Sequence, residues 1–110
     1  MEAKDLFQQV FDGYVRSYRS KDAAGCASYF TDNAELYSPY SPAAIGRPAI
    51  ETTHKEWVEE EGEDKAIEVL HADAEGRFGW CLARFSEGSA ASGTSLNVLY
   101  QQADGKWLIA

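Results

Sequence analysis

The spacing of apolar residues changes once along this 110-residue chain, near Lys65, and that change constrains the fold most strongly. Before Lys65, apolar side chains recur every three or four residues, most clearly from Leu6 to Tyr18, which predicts an amphipathic helix. After it, β-rich segments alternate with turn residues, which predicts strands. Helices followed by strands indicate the α+β class, with three N-terminal helices packed on a curved, mostly antiparallel sheet.

Two further helices are predicted between Tyr18 and Lys65. Asp22 is a suitable N-cap for a short helix that runs to Phe30, because its carboxylate can accept hydrogen bonds from first-turn N–H groups. Pro48 lies near the start of the third helix, where the missing N–H of proline costs nothing. The inward face of that helix is expected to carry Ile50, His54, Trp57 and Val58.

The sequence predicts one short strand between the second and third helices, over residues 34–38, stopped by Pro39 and Pro42. Four strands are predicted after Lys65, at residues 66–74, 77–86, 94–102 and 106–110. The pair Asp104-Gly105 separates the last two strands and is typical of a tight hairpin turn. We therefore expect an antiparallel meander.

Composition limits the classes of partner. A net charge of −8 and a pI near 4.6 would repel phosphate backbones and anionic lipids, so we expect neither nucleic acid nor a membrane as a partner. No apolar run approaches the roughly 20 residues of a spanning helix, and no signal-peptide pattern opens the chain, so a cytoplasmic location is expected. Residues 1–110 are expected to form a single domain.

Cysteine usage and local motifs indicate no metal site and no cofactor. Cys26 and Cys81 lie far apart in the chain, without the close spacing of a zinc site or the density of a disulfide scaffold. We expect both to be reduced core residues. His54 and His71 lack the i,i+4 spacing of a helical metal-binding pair, so no metal is expected there either.

The order of these elements, with the segments YFTDNAELYSP, IGRPAI and ADGKW, resembles the nuclear transport factor 2-like superfamily, and within it the SnoaL-like and ketosteroid-isomerase-like proteins. The resemblance covers nearly the whole chain. It implies a cone-like fold that encloses a pocket and a homodimer formed through the sheet face. It leaves the function open, because this fold carries many chemistries.

The resemblance to ketosteroid isomerase places the catalytic tyrosine of that enzyme at Tyr14, its base aspartate at Ser38 and its second oxyanion-hole acid at Asn97. Tyr14 and Asn97 keep groups that can donate a hydrogen bond. A serine hydroxyl, however, cannot take a carbon-bound proton near neutral pH without a base of its own. His54 falls where the isomerase carries another tyrosine. We expect it either to be a core histidine satisfied by one hydrogen bond, or to point at Tyr14 across the pocket, where it would act as a general base or orient the tyrosine.

Aromatic side chains are the expected lining of the pocket, because tyrosine and tryptophan combine an apolar ring with a polar tip. Such a cavity suits a small apolar or aromatic molecule. His71 is in phase with Ile67 and Val69 and is expected to share their face, whereas the side that Trp80 faces depends on strand register. The predicted ligand-binding residues are Tyr18, Tyr37, Trp57, His71 and Trp80.

Two classes of function follow from this interpretation. The first is a small-molecule-binding pocket protein that acts as a cofactor-independent isomerase, cyclase or dehydratase, with Tyr14, His54 and Asn97 as its catalytic residues. The second is a non-catalytic ligand-binding or dimeric association module. They differ in one requirement, because an enzyme needs a titratable group within reach of a bound substrate.

Overall fold

The computed structural model describes residues 2–88 and 91–110, with the backbone alone at 61 and 62. The helices are α1 (Ala3–Arg19), α2 (Ala23–Ala27) and α3 (Arg47–Glu61), followed by a single 3₁₀ turn (Gly62–Asp64). The strands are β1 (Glu35–Ser38), β2 (Ser41–Ile45), β3 (Lys65–Glu75), β4 (Phe78–Glu87), β5 (Ser92–Gln101) and β6 (Trp107–Ile109). This confirms the α+β class. Within the described part of the chain, no helix is long and apolar enough to cross a membrane.

The main sheet is the predicted antiparallel meander, with strand order β3-β4-β5-β6. Its last strand also bonds to the segment that follows α2, since Thr31 N donates to the Ile109 carbonyl (2.8 Å) and Ile109 N donates to the Tyr29 carbonyl (2.8 Å). Phe30 forms a parallel bridge with Ile109. The second helix therefore ends at Ala27, earlier than predicted.

A strand that the sequence did not predict, β2, pairs with β1 in a separate two-stranded sheet. Pro42 lies within it, although proline was expected to end the strand region. Both strands of a two-stranded sheet are edges, so a proline there loses no essential ladder bond. Ser38 pairs with Ser41 at the turn, and the Ser38 hydroxyl accepts a hydrogen bond from Tyr40 N (3.1 Å).

The core forms where α1 and α3 meet one side of the main sheet, which we call the helix-facing side. The predicted stripe of α1 is buried there, together with one face of α3, and each large apolar side chain contributes about 1.5–3 kcal/mol. Cys26 and Cys81 are both buried and unpaired, as predicted. The buried core residues include Phe7, Phe11, Tyr14, Tyr18, Ile50, Val58, Val69 and Leu99.

Helix α1 lies along β3 and satisfies the free edge of that strand. The Gln8 amide donates to the Ile67 carbonyl (3.0 Å) and accepts from Val69 N (2.8 Å), while Arg19 Nε donates to the Lys65 carbonyl (2.8 Å). An edge strand otherwise presents unpaired backbone groups to other chains. Side chains of α1 thus take the place of a neighbouring strand.

A β-bulge in β3 reverses the sides to which its side chains point. Val69 pairs with Ala83 and His71 pairs with Leu82, so Leu70 is the extra residue. An extra residue shifts the two-residue alternation by one step. The expectation that His71 shares the face of Val69 is therefore wrong, and the exposed His71 side chain lies on the outer side of the sheet.

Candidate functional site

Tyr14 of α1 and His54 of α3 form a buried hydrogen-bonded pair. The Tyr14 hydroxyl lies 2.6 Å from His54 Nε2, and His54 Nδ1 lies 2.7 Å from the Ile50 carbonyl oxygen, one helical turn earlier. The predicted contact between Tyr14 and His54 is confirmed. His54 is 0% exposed, so no water-sized space touches its side chain.

The partners of His54 determine its tautomer. A carbonyl oxygen can only accept, so Nδ1 carries the ring hydrogen that bonds to Ile50, and the neutral ring leaves Nε2 as an acceptor for the Tyr14 hydroxyl. Burial lowers the pKa of His54 to about 4 and raises the pKa of Tyr14 well above its usual value. Both groups are therefore neutral at pH 7, and the only hydroxyl hydrogen of Tyr14 is already donated.

Aromatic rings enclose His54 on several sides. The ring centroids of Trp57, Tyr14, Phe30 and Tyr18 lie 5.0, 5.5, 5.9 and 6.0 Å from that of His54. Such edge-on contacts add about 0.5–1.5 kcal/mol each beyond area burial. Three predicted ligand-binding or catalytic residues thus come together around His54, in a packed cluster.

Next to this cluster lies an ion pair that sequence reasoning missed. Lys65 Nζ is 3.3 Å from Glu87 Oε1, and the Tyr18 hydroxyl donates to the same carboxylate oxygen. Lys65 is only 7% exposed, and its ammonium lies over the rings of Tyr18 (4.6 Å) and Phe85 (5.3 Å). Burial lowers the pKa of Lys65, although Glu87 opposes that effect.

The alternation of residues along β3 and β4 is a sequence signal for this ion pair. Lys65 is in phase with Ile67 on β3, and Glu87 is in phase with Phe85 on β4, so strand alternation turns both charges toward the helices. Lys65 and Glu87 are direct cross-strand partners. The spacing of apolar residues alone marks Lys65 only as the boundary between the helical and the strand regions.

Asn97 faces the helix-facing side, in register with Cys81. Its amide nitrogen lies 3.0 Å from the Ser95 hydroxyl and 3.4 Å from the Ser95 carbonyl oxygen, and its side chain also hydrogen-bonds to Cys81, its cross-strand partner. Ser95 and Asn97 are both half-buried, whereas Cys81 and Ala83 on the adjacent strand are fully buried. The helices therefore leave this part of β5 partly uncovered.

The tip of the β1–β2 hairpin approaches the same region. The Tyr40 ring meets the Phe85 ring edge-on at 6.5 Å, and the Trp57 indole nitrogen donates to the Ser41 hydroxyl (2.9 Å). Phe85 is paired with Gly93 on β5, and a side chain at Gly93 would press against the Phe85 ring. The rings of Tyr40 and Phe85 thus lie next to Gly93 of β5, two residues before Ser95, and Trp57 is joined to the hairpin through Ser41.

The remaining predicted ligand-binding residues lie elsewhere. Tyr37 is exposed on the hairpin, and its hydroxyl donates to Glu35 of the same strand. Trp80 pairs with Asp73 on the outer side of the sheet, the side to which His71 also points. The structure therefore separates Tyr37, His71 and Trp80 from the cluster around His54.

The outer side of the sheet carries a continuous apolar surface. Its members are cross-strand neighbours on β4, β5 and β6: Phe78 beside Tyr100, Trp80 beside Val98, Leu82 beside Leu96, and Leu108 beside Tyr100. Leu96 is 72% exposed, and the three rings are 40 to 46% exposed. We call this set the outer apolar surface.

Comparisons with known proteins identify the fold. No protein-family model matches this sequence, and no curated protein matches it. Among solved structures, a ketosteroid isomerase-like protein from Erwinia carotovora atroseptica superposes with a TM-score of 0.76 at 18% identity, over 97% of this chain and 90% of that one. ActVI-ORFA from Streptomyces coelicolor superposes at 0.60 and 18% identity, over 96% and 90% of the two chains.

A third similar structure is a Catenulispora acidiphila protein in complex with S-DNPA, with a TM-score of 0.72 and 22% identity over 96% of this chain and 87% of that one. At such identities the likeness defines the fold. The chain is an α+β protein with a cystatin-like, nuclear transport factor 2-like fold. It is the fold of ketosteroid isomerase-like and SnoaL-like proteins, as the resemblance implied.

Proposed function

We propose that this protein binds a small molecule in a cleft between the hairpin tip and the helix-facing side of β5. The observation that carries the proposal is the partial exposure of two polar side chains there, Ser95 and Asn97, beside the fully buried Cys81 and Ala83 of the adjacent strand. The Asn97 amide nitrogen bonds to Ser95 and its side chain bonds to Cys81, which leaves the amide oxygen with capacity to accept a hydrogen bond from a ligand.

The ligand is a flat, largely apolar or aromatic molecule with one hydrogen-bonding group. The rings of Tyr40, Trp57 and Phe85 border the cleft and favour aromatic surface. The Asn97 amide oxygen can accept a hydrogen bond, which a phenol hydroxyl donates.

Proton transfer of the ketosteroid isomerase kind does not form part of this proposal. Tyr14 donates its hydroxyl hydrogen to His54, so it has none left for a substrate oxygen. His54 uses both ring nitrogens within the protein, and Ser38, at the position of the isomerase base, accepts a hydrogen bond within the hairpin turn. We assign Tyr14 and His54 to the stability of the core.

A thermal-shift titration with p-cresol and related phenols tests the cleft. Ligand at about 100 times its Kd stabilises a protein by about 2.7 kcal/mol, which corresponds to roughly 10–20 °C in Tm for a domain of this size. We expect Asn97→Ala to remove most of that rise, because the ligand then loses its polar partner. Thr94→Ala is the matched control, since Thr94 is exposed on the outer side of the same strand.

Two results would contradict the proposal. One is a flat Tm across all phenols at millimolar concentration. The other is a rise that Asn97→Ala leaves intact, because the ligand would then bind away from β5.

A dimeric association role is the second candidate, and the outer apolar surface favours it. Rings of about 200 Å² each, exposed by 40 to 46%, leave on the order of 250 Å² of aromatic surface in water before Leu96 and its neighbours are added. Patches of several hundred Å² on a soluble protein mark interaction sites. A second copy of the chain is the proposed occupant, because an apolar sheet face can meet itself around a two-fold axis.

Sedimentation velocity at micromolar concentration tests this association. We expect a dimer in the native chain and a monomer in Leu96→Lys, which places a charge on the outer apolar surface. Thr52→Lys adds the same charge at an exposed position on α3 and should remain dimeric. A native monomer, or equal behaviour of the two variants, would remove the second candidate.

A further inference from the structure

Helix α1 covers the free edge of β3 along only part of its length. Its Gln8 side chain bonds to Ile67 and Val69, and the cover ends there. Farther along, an open groove of about 440 Å³ lies between residues 72–74 and the start of α1. Among the described residues, no strand pairs with β3 on that side. We call residues 71–75 the open edge.

The bulge in β3 determines which backbone groups face the open edge. Ile67 and Val69 turn their bonding groups toward α1, so β4 bonds to the residues that alternate with them. The extra residue of the bulge shifts the alternation by one step, so Ala72 and Ala74 face away from β4 beyond it. The Ala74 N–H is held by the Asp73 carboxylate (2.8 Å). The N–H and C=O groups of Ala72 have no hydrogen-bond partner on this side among the described residues.

The side chains beside Ala72 are complementary to a second copy of the same edge. His71 and Asp73 flank Ala72, and both are exposed on the outer side of the sheet. An antiparallel pairing around a two-fold axis at Ala72 places His71 of each copy opposite Asp73 of the other, where an imidazole N–H can donate to the carboxylate. An axis at Asp73 would set that carboxylate against itself, and an axis at Ala74 would set it against Glu75. Of these three registers, only the first places no carboxylate opposite another.

We propose that the open edge of β3 pairs with the open edge of a second copy, antiparallel and centred on Ala72, so that the two main sheets join into one. The two Ala72 residues exchange a pair of backbone hydrogen bonds, which satisfies the groups that α1 leaves uncovered. This contact is separate from the outer apolar surface, which belongs to β4, β5 and β6. So short an edge buries less than the roughly 1,200 Å² of a stable interface, so we expect association only at high protein concentration.

Amide hydrogen exchange, followed by NMR, tests the pairing. The measurement uses Leu96→Lys, in which a charge on the outer apolar surface prevents association through that surface. From micromolar to millimolar protein, exchange at the Ala72 amide should slow, by about twofold when half of the copies are paired, because only unpaired copies exchange. The Val69 amide is the internal control, since Gln8 holds it in every copy and its exchange should stay constant.

A charge exchange tests the register, in the same Leu96→Lys background. His71→Asp sets two carboxylates opposite each other at both ends of the pairing, so the slowing at the Ala72 amide should disappear. Adding Asp73→Lys restores unlike pairs and should bring the slowing back. Thr52→Asp makes the same change of charge at an exposed position on α3 and should leave the pairing intact.

Ala72→Pro gives a second check that does not depend on charge. It removes the edge-facing N–H and leaves the bonds between β3 and β4 in place, since proline is tolerated on the open side of an edge strand. In sedimentation equilibrium at millimolar concentration, Leu96→Lys should exceed the monomer mass, and the same chain with Ala72→Pro should not.

Two results would overturn the proposal. One is an Ala72 exchange rate that does not change with protein concentration. The other is association that survives both His71→Asp and Ala72→Pro, because the copies would then meet elsewhere. Neither result bears on the dimer through the outer apolar surface, which is read from the native chain at micromolar concentration.

Discussion

Acidification should destabilise this protein through His54. The ring is neutral in the fold, with a pKa lowered to about 4, whereas it titrates near 6.5 in the unfolded chain. Between those values the unfolded state binds more protons than the native state, so the stability that His54 contributes is present above pH 6.5 and is lost as the pH falls toward 4. Integrated from pH 7 to pH 5, the loss is about 2 kcal/mol.

The assay is urea unfolding at pH 7, 6 and 5, followed by tryptophan fluorescence. A loss of about 2 kcal/mol corresponds to roughly 8–16 °C in Tm for a domain of this size, so thermal melts report the same effect. His54→Gln removes the titrating ring, and its stability should fall far less over this range. Carboxylates make both the native protein and His54→Gln sensitive to acid. The difference between their two curves of unfolding free energy against pH therefore gives the contribution of the His54 imidazole.

His71→Gln is the matched control, because it makes the same substitution at an exposed position on the outer side of the sheet. Parallel curves for the native chain and His54→Gln would refute the reasoning. They would mean that His54 protonates as easily in the fold as in water, which its packing forbids.

Two further substitutions test the packing contacts. Tyr14→Phe should cost about 2 kcal/mol, because it leaves the buried Nε2 of His54 without a donor, and a urea midpoint equal to that of the native chain would contradict this. Gln8→Ala should speed hydrogen exchange at the Val69 amide, since Gln8 bridges Ile67 and Val69 at the free edge of β3, and unchanged exchange there would show that the bridge does not persist in solution.

Much of the fold could be predicted from the sequence because its signals are local. The apolar stripe of α1, the Asp22 cap and the turn at Gly105 each depend on neighbours in the chain, and all appear in the structure. The missed strand β2 has no such local signal. Pro42 argues against a strand, and only pairing with β1 reveals why proline is tolerated there.

The candidate site was harder to predict because it depends on register. One extra residue at Leu70 sends His71 to the outer side, and the pairing of β4 with β5 places Asn97 on the helix-facing side while Trp80 faces outward. The contact between His54 and Tyr14 was predicted. That both ring nitrogens of His54 bond within the protein was not predicted, because the bond from Nδ1 to the Ile50 carbonyl depends on how the ring is oriented in the packed core.

Two-dimensional ¹H–¹⁵N spectroscopy tests the central claim, a ligand cleft on the helix-facing side, most directly. The chain has three tryptophans, so its indole N–H groups give separate signals from three places: Trp57 beside Ser41, Trp80 on the outer side, and Trp107 against the core. Titration with p-cresol should move the signals of the Trp57 indole and the Asn97 side-chain amide and leave that of Trp80 in place. Movement of Trp80 alone, or of none of these signals at millimolar ligand, would contradict the account.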